Sequence, residues 1–335
     1  MRDRPIVVIT GASAGIGRAA ARLFATKNWR VALVARGIEG LEGAKREIEA
    51  AGSDALVLPT DVADWKQVDA AAERVEREWG PIEIWVNDAM ATIFCEFVKI
   101  DPEDYRRATE VTYLGAVWGT RAALRRMLPR NRGTIVQVGS ALAYRSIPLQ
   151  APYCGAKSAI RGFTNSIRSE LIHAKSRVHV TMVQLSAFNT PQFDWGRTCM
   201  AKRPQPLPPI FQPEVAAEAI YFAATHRRRE LWVGWPAVKA ILGARLLPRV
   251  GDWILAREAY RGQHTDEPLP PGRKDNLYAP VPGDHGAHGR FDSRARGTSA
   301  QLWASEHRTL LGALATMIAG ALIAGAMHRK APGGR

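Results

Sequence analysis

Cysteine is scarce in this chain. Cys95, Cys154 and Cys199 are the only three in 335 residues, and no two of them form a C-x-x-C pair. Their wide spacing argues against a zinc ribbon or a disulfide framework and predicts unlinked thiols in a reducing compartment. Acidic residues are also in deficit: 46 Lys and Arg face 32 Asp and Glu, a formal charge of +14. Such a balance suits nucleic acid, anionic lipid, or anionic substrates and cofactors. The basic residues are scattered, and the densest run, His226–Glu230 (HRRRE), reads as a solvated helix end. Nucleic acid is therefore not an expected partner. Long apolar runs are missing before residue 309, and the stretch at Ile6–Thr10 is far too short for a signal peptide. A cytoplasmic location is expected. No internal repeat is present.

What the chain does contain is alternation. The β-branched runs at 6–10, 30–35, 55–59, 82–87, 134–139 and 178–185 read as buried strands, with a seventh at 230–234. Amphipathic helical patterns lie between them near 15–26, 39–51, 64–79, 103–128 and 153–175, and another starts near Pro213. Strands alternating with helices predict an α/β fold: a Rossmann-type, doubly wound parallel sheet of about seven strands with helices on both faces. Residues 191–212 are rich in proline and without period, so they read as a loop lining the substrate site. The reading divides the chain into a dinucleotide-binding and catalytic domain at 1–260, an extended linker at 261–300, and a C-terminal apolar helix with a basic tail at 301–335.

The stretch Thr10–Gly17 (TGASAGIG) follows a strand and opens a helix. Its glycines allow a tight turn and close approach of backbone to a pyrophosphate at the positive end of the helix. Gly11, Ser13, Gly15, Ile16 and Gly17 are thus the expected phosphate-loop contacts. At the end of the second strand an NAD-binding chain carries Asp or Glu, whereas here Ala35 is followed by Arg36. A guanidinium there suits the extra phosphate of NADP(H), so NADP(H) is preferred over NAD(H).

These residues, with Tyr153 and Lys157 spaced i, i+4 in a helical segment, resemble the short-chain dehydrogenase/reductase family. The resemblance covers about Pro5 to Gly234. It implies that Asp61 and Val62 contact the adenine, that Asn87 and Ala89 belong to the cofactor site, and that Thr190 contacts the nicotinamide carboxamide. It also implies a catalytic group of Ser140, Tyr153 and Lys157. Asp88 falls where the family carries an asparagine, and three further positions depart from its pattern: Met90 replaces a glycine, Thr112 stands where an asparagine holds a relay water, and Ser186 falls at a Pro-Gly pair.

The chemistry implied is hydride transfer between NADP(H) and a carbonyl or secondary alcohol. Tyr153 would be the general acid/base, its high ordinary pKa lowered by the Lys157 ammonium. Ser140 would hold the substrate oxygen, and the Thr112 hydroxyl would hold the relay water. The three departures motivate an alternative, an NADP(H)-binding scaffold with little turnover. Phe193, Trp195 and Phe211 suggest a partly apolar substrate, and a homo-oligomer is expected.

The run Thr309–Met327 carries no charge, and as a helix it would span about 28 Å. It is read as a membrane anchor, with Trp303 and flanking basic residues at the interface. Asp284, His285 and His288 sit in a loop-like GDHGAH stretch without a further ligand cluster, so no metal is expected.

Overall fold

In a computed structural model, which describes residues 4–313 and 316–317, seven strands hydrogen-bond into one sheet. They are β1 (Ile6–Thr10), β2 (Arg30–Ala35), β3 (Ala55–Pro59), β4 (Ile82–Asn87), β5 (Thr134–Ser140), β6 (His179–Leu185) and β7 (Glu230–Val233). The order across the sheet is β3-β2-β1-β4-β5-β6-β7, and every pairing is parallel. Continuous apolar strands are required because both faces of the sheet are covered. On β1, Val7 and Ile9 join one core cluster while Ile6 and Val8 join another on the opposite face. On β2, Val31 and Leu33 divide from Ala32 and Val34 in the same way. This is the period-two alternation of a strand with a helical layer on each side.

Helices α1 (Gly15–Thr26), α2 (Ile38–Ala50) and α3 (Trp65–Trp79) follow the first three strands. The 103–128 pattern is not one helix. It divides into α4 (Pro102–Thr109), a π-helical turn at Glu110–Leu114, and α5 (Gly115–Met127). Asp101 caps α4 by accepting the Glu103 N–H at 2.8 Å, with Pro102 at the first position. After α6 (Ala151–His173) and α7 (Pro213–Thr225) come a pair of helices, α8 (Trp235–Leu246) and α9 (Pro248–Gly262), and then a short α10 (Ala300–Glu306).

The expectation of unlinked cysteines is corrected here: Cys95 and Cys199 form a disulfide, Cα to Cα 5.1 Å. The reason lies in a short parallel pairing that the spacing does not reveal. Ile93 pairs with Arg197 and Phe94 with Thr198, so the next residue on each strand is a cysteine beside its partner. Cys154 is free and buried. The proline-rich stretch also contributes Lys202–Pro204, paired with His264–Pro268, and Ile210–Phe211, paired with Ala187–Phe188 and Ala295–Arg296.

The stretch 261–300 crosses the surface with little regular structure, yet Leu277, Ala287 and Phe291 are buried. Among the described residues no helix is long and apolar enough to cross a membrane. Most of the apolar run 309–327 lies outside the described residues.

Candidate active site

A cavity of about 530 Å³ opens at the carboxyl ends of the strands, where the sheet order reverses between β1 and β4. The glycine turn after β1 forms one side of it. Gly11 and Gly15 have φ of +75° and +59°, which only glycine adopts readily. Gly17 is needed for a different reason. A Cβ there would lie 2.5 Å from the Gly11 carbonyl oxygen and 2.8 Å from the Asp88 carboxylate.

The turn after β4 is held against this loop by Thr10, whose hydroxyl accepts the N–H groups of Asp88 (3.0 Å) and Ala89 (3.1 Å). Asp88 faces the cavity, and the Gly17 N–H donates to its carboxylate. Burial raises this carboxyl to about 7, with Lys157 and the Gly17 hydrogen bond opposing the rise. Asp88 entered the sequence reading only as a mismatch. Its importance comes from facing Lys157 across the fold.

Helix α6 carries Tyr153 and Lys157 one turn apart, and Ser140 ends β5. Ser140 accepts the Leu142 N–H at 3.1 Å and hydrogen-bonds the Tyr153 phenol. Lys157 is 3% exposed; its Nζ lies 5.5 Å from the Tyr153 ring centroid and donates to the Val138 carbonyl at 2.6 Å. Burial lowers this ammonium to about 8, with Asp88 opposing. The expected lowering of the tyrosine pKa is outweighed by burial. Burial pushes the phenol above its ordinary value, and the Ser140 hydrogen bond only partly offsets this.

Of the residues singled out from the sequence, Gly11, Ser13, Gly15, Ile16, Arg36 and Ala89 line the cavity, as do Ser140, Tyr153, Lys157 and Thr190. Gly17, Asp61, Val62, Asn87 and Thr112 do not. Asn87 sits in a buried polar network instead. It accepts from the Trp85 indole (2.8 Å) and donates to Thr120 and Gln137 (both 3.1 Å). The Thr112 hydroxyl, in the π-helical turn, accepts the Ala91 N–H and donates to the Ala91 carbonyl, both at 2.9 Å. Asp61 is paired with Arg107. Met90 lines the cavity, as does Ser186, whose buried hydroxyl has no partner.

Sequence reasoning did not foresee that residues 276–289 lie as a strap along the Arg36 side of this cavity. Arg36 donates to the carbonyls of Asn276, Leu277 (3.2 Å) and Tyr278 (2.9 Å). Arg107 donates to the Leu277 carbonyl at 3.2 Å. The Gly15 N–H donates to the Gly286 carbonyl at 3.1 Å. Asp284 pairs with the buried Arg18 guanidinium, and that hydrogen bond holds the carboxyl below its ordinary value. His285 meets the Trp195 ring edge-on at 4.7 Å. His288 bridges Glu214 and Asp292, each at 2.9 Å. Burial opposes its protonation, but the two carboxylates prevail and raise its pKa. The GDHGAH side chains thus point to separate partners, and among the described residues no three His, Cys, Asp or Glu side chains are arranged to hold a metal ion.

A doubly wound sheet with a glycine loop at its switch point and a Ser-Tyr-Lys group beside it defines a class of dinucleotide-dependent oxidoreductases. The family profile described as short chain dehydrogenase matches residues 5–196. The uncharacterized oxidoreductase YxnA of Bacillus subtilis is 35% identical over 276 residues, 82% of this chain and 77% of that one. Human dehydrogenase/reductase SDR family member 7 is 38% identical over 170 residues, half of each chain. Among solved structures, actinorhodin polyketide ketoreductase with NADPH superposes with a TM-score of 0.61 at 26% identity, covering 70% of this chain and 97% of that one. An alcohol dehydrogenase from Thermococcus sibiricus with 5-hydroxy-NADP shares the fold, with a TM-score of 0.59 at 24% identity over 69% of this chain and 96% of that one. The chain belongs to the short-chain dehydrogenase/reductase family of oxidoreductases.

Proposed function

We propose that the chain is an NADP(H)-dependent reductase of ketones or aldehydes with a substantial apolar part. One observation carries this reading: Ser140, Tyr153 and Lys157 converge on the same cavity as the glycine loop and Arg36. The residues present fit such a cofactor. Ile16 at the start of α1 would meet its phosphates, the Gly15 N–H being engaged by the Gly286 carbonyl; Lys157 and Tyr153 would hold its nicotinamide ribose, and Thr190 borders the same cavity. Arg36 has five N–H donors, and its three hydrogen bonds to the strap leave two for a 2′-phosphate. Two of the superposing structures, the ketoreductase and the archaeal alcohol dehydrogenase, are described with NADPH and 5-hydroxy-NADP. When bound, the nicotinamide supplies or accepts the hydride.

The chain's own residues handle the oxygen. Ser140 and Tyr153 donate hydrogen bonds to the carbonyl oxygen, which stabilises the charge that develops there. Tyr153 then releases its proton to that oxygen. Lys157, buried and close to the phenol, stabilises the phenolate left behind. Leu142, Ile147, Phe188, Phe193 and Leu207 line the rest of the cavity and favour an apolar substrate body.

A second reading rests on Thr112 and Lys157. The hydroxyl of Thr112 spends its only donor on the Ala91 carbonyl, and Lys157 donates directly to the Val138 carbonyl. That arrangement favours a cofactor-binding protein with slow proton resupply. A panel of ketones and aldehydes, including long-chain members, tests both readings by following NADPH oxidation with wild type and Tyr153→Phe. The reductase reading expects turnover that falls roughly 100- to 10,000-fold in the variant, with NADPH binding retained. Tight NADPH binding without Tyr153-dependent turnover on any carbonyl would favour the second.

A further inference from the structure

The pair α8–α9 has two unlike faces. Its inner face is a wall of the active-site cavity, to which it contributes Pro236, Ala240, Leu255, Glu258 and Ala259. Its outer face is apolar and open to solvent: Leu246 is 75% exposed, Leu247 60%, Val250 50% and Trp253 60%. Trp235, Leu242, Ile254 and Tyr260 are exposed as well. Nothing else among the described residues leaves so many large apolar side chains together, and a patch of this kind marks an interaction surface.

The charges around it indicate what it meets. Between Trp235 and Gly262 lie Lys239, Arg245, Arg249, Arg257 and Arg261, against Asp252 and Glu258 alone. Asp252 is already paired with Arg145 at 2.7 Å, and Arg257 stacks over Trp253 at 3.9 Å from the ring centroid. A second copy of the chain meeting this face about a two-fold axis would bring like charges together. An anionic lipid surface would satisfy both the basic residues and the apolar ones between them. Helices of 12 and 15 residues are too short to cross a bilayer and suit the interface, where tryptophan and tyrosine are favoured.

We propose that the α8–α9 hairpin docks the protein on anionic membranes, with its cavity-lining face directed inward from the lipid surface. Glu258 is exposed and also lines the cavity, so the cavity reaches the surface beside the docking face. Delivery of a lipid-dissolved carbonyl to Tyr153 by this route rests on the reductase reading above. The docking itself does not.

The test uses the full chain and phosphatidylcholine vesicles with or without phosphatidylglycerol, read by flotation. The wild type is expected to float with the anionic vesicles and to be released by salt. Leu246→Asp/Leu247→Asp and Arg249→Glu/Arg257→Glu should each weaken partitioning about tenfold. Circular-dichroism melts establish which variants fold, and either one that folds decides the question. The proposal is overturned if the wild type does not float, or if a folded variant floats as well as the wild type. It also fails if light scattering shows a wild-type dimer that the Leu246→Asp/Leu247→Asp variant converts to a monomer. Flotation requires no turnover, so failure here is distinguishable from failure of the reductase reading.

Discussion

The guanidinium of Arg36 donates to the backbone carbonyl of Tyr278 at 2.9 Å, joining positions 242 residues apart. The side chain proposed to favour NADP over NAD is therefore also an anchor of the strap that lies beside it. Burial lowers the Arg36 pKa, with Asp61 opposing, but a guanidinium stays charged at any ordinary pH.

Arg36→Ala should consequently do two things. It should weaken NADPH relative to NADH by roughly ten- to a hundredfold, the effect of losing hydrogen bonds to a charged group. It should also speed limited proteolysis within residues 262–299. Fluorescence titrations with each nucleotide check the first effect, and mapped cleavage sites the second. An unchanged nucleotide ratio with a loosened strap would reduce Arg36 to an anchor alone.

The Asp88 carboxyl makes stability pH-dependent with a definite sign. Its folded value is raised to about 7 from an ordinary 3.8. Between those values the folded protein holds a proton that the unfolded chain has released, so stability falls as pH rises through that window. Lys157, depressed to about 8 from 10.5, acts above this range. Asp88→Asn removes the titration, so its Tm should gain on the wild type between pH 5 and pH 8. The same Tm difference at both pH values would contradict the assignment.

Thr112→Val should destabilise the fold. It leaves the buried Ala91 N–H and carbonyl without their partner, at a cost of about 1–3 kcal/mol. Thr112→Ser keeps the hydroxyl and should melt close to the wild type. Thermal melts of both variants distinguish lost hydrogen bonding from lost volume.

The disulfide closes a separation of 104 residues and joins Cys95 to the segment that follows Phe193 and Trp195. Cys199→Ser should lower stability by about 2–4 kcal/mol and raise the mobility of residues 191–204. Denaturant unfolding with and without reductant, together with amide exchange over that segment, provides the measurement. No change on reduction would show that the neighbouring strand pairing suffices.

The fold was legible wherever the physics is local. Four or five consecutive apolar residues, as at Ile6–Ile9 and Val31–Ala35, are what a strand covered on both faces requires. Tyr153 and Lys157 four positions apart share a helix face whatever surrounds them. Where a long-range partner decides, the reading had less to work with. The 103–128 helix breaks at Glu110–Leu114, where Thr112 engages the backbone of Ala91. Asn87, expected near the cofactor, is drawn into a network with Trp85, Thr120 and Gln137 that no spacing announces.

The order of residues alone established the α/β alternation, the glycine turn after β1 and the residue types available for proton transfer, because periodicity and glycine φ angles act over a few residues. Tertiary structure decided the rest. Cys95 meets Cys199 because two short strands pair, and Asp88 is raised because burial where β4 meets α1 outweighs the opposing pull of Lys157 and the Gly17 N–H. The stretch read as a linker reaches Arg36 because three carbonyls find one guanidinium. Burial and charge pairing depend on neighbours brought close by the fold, and order along the chain does not record them.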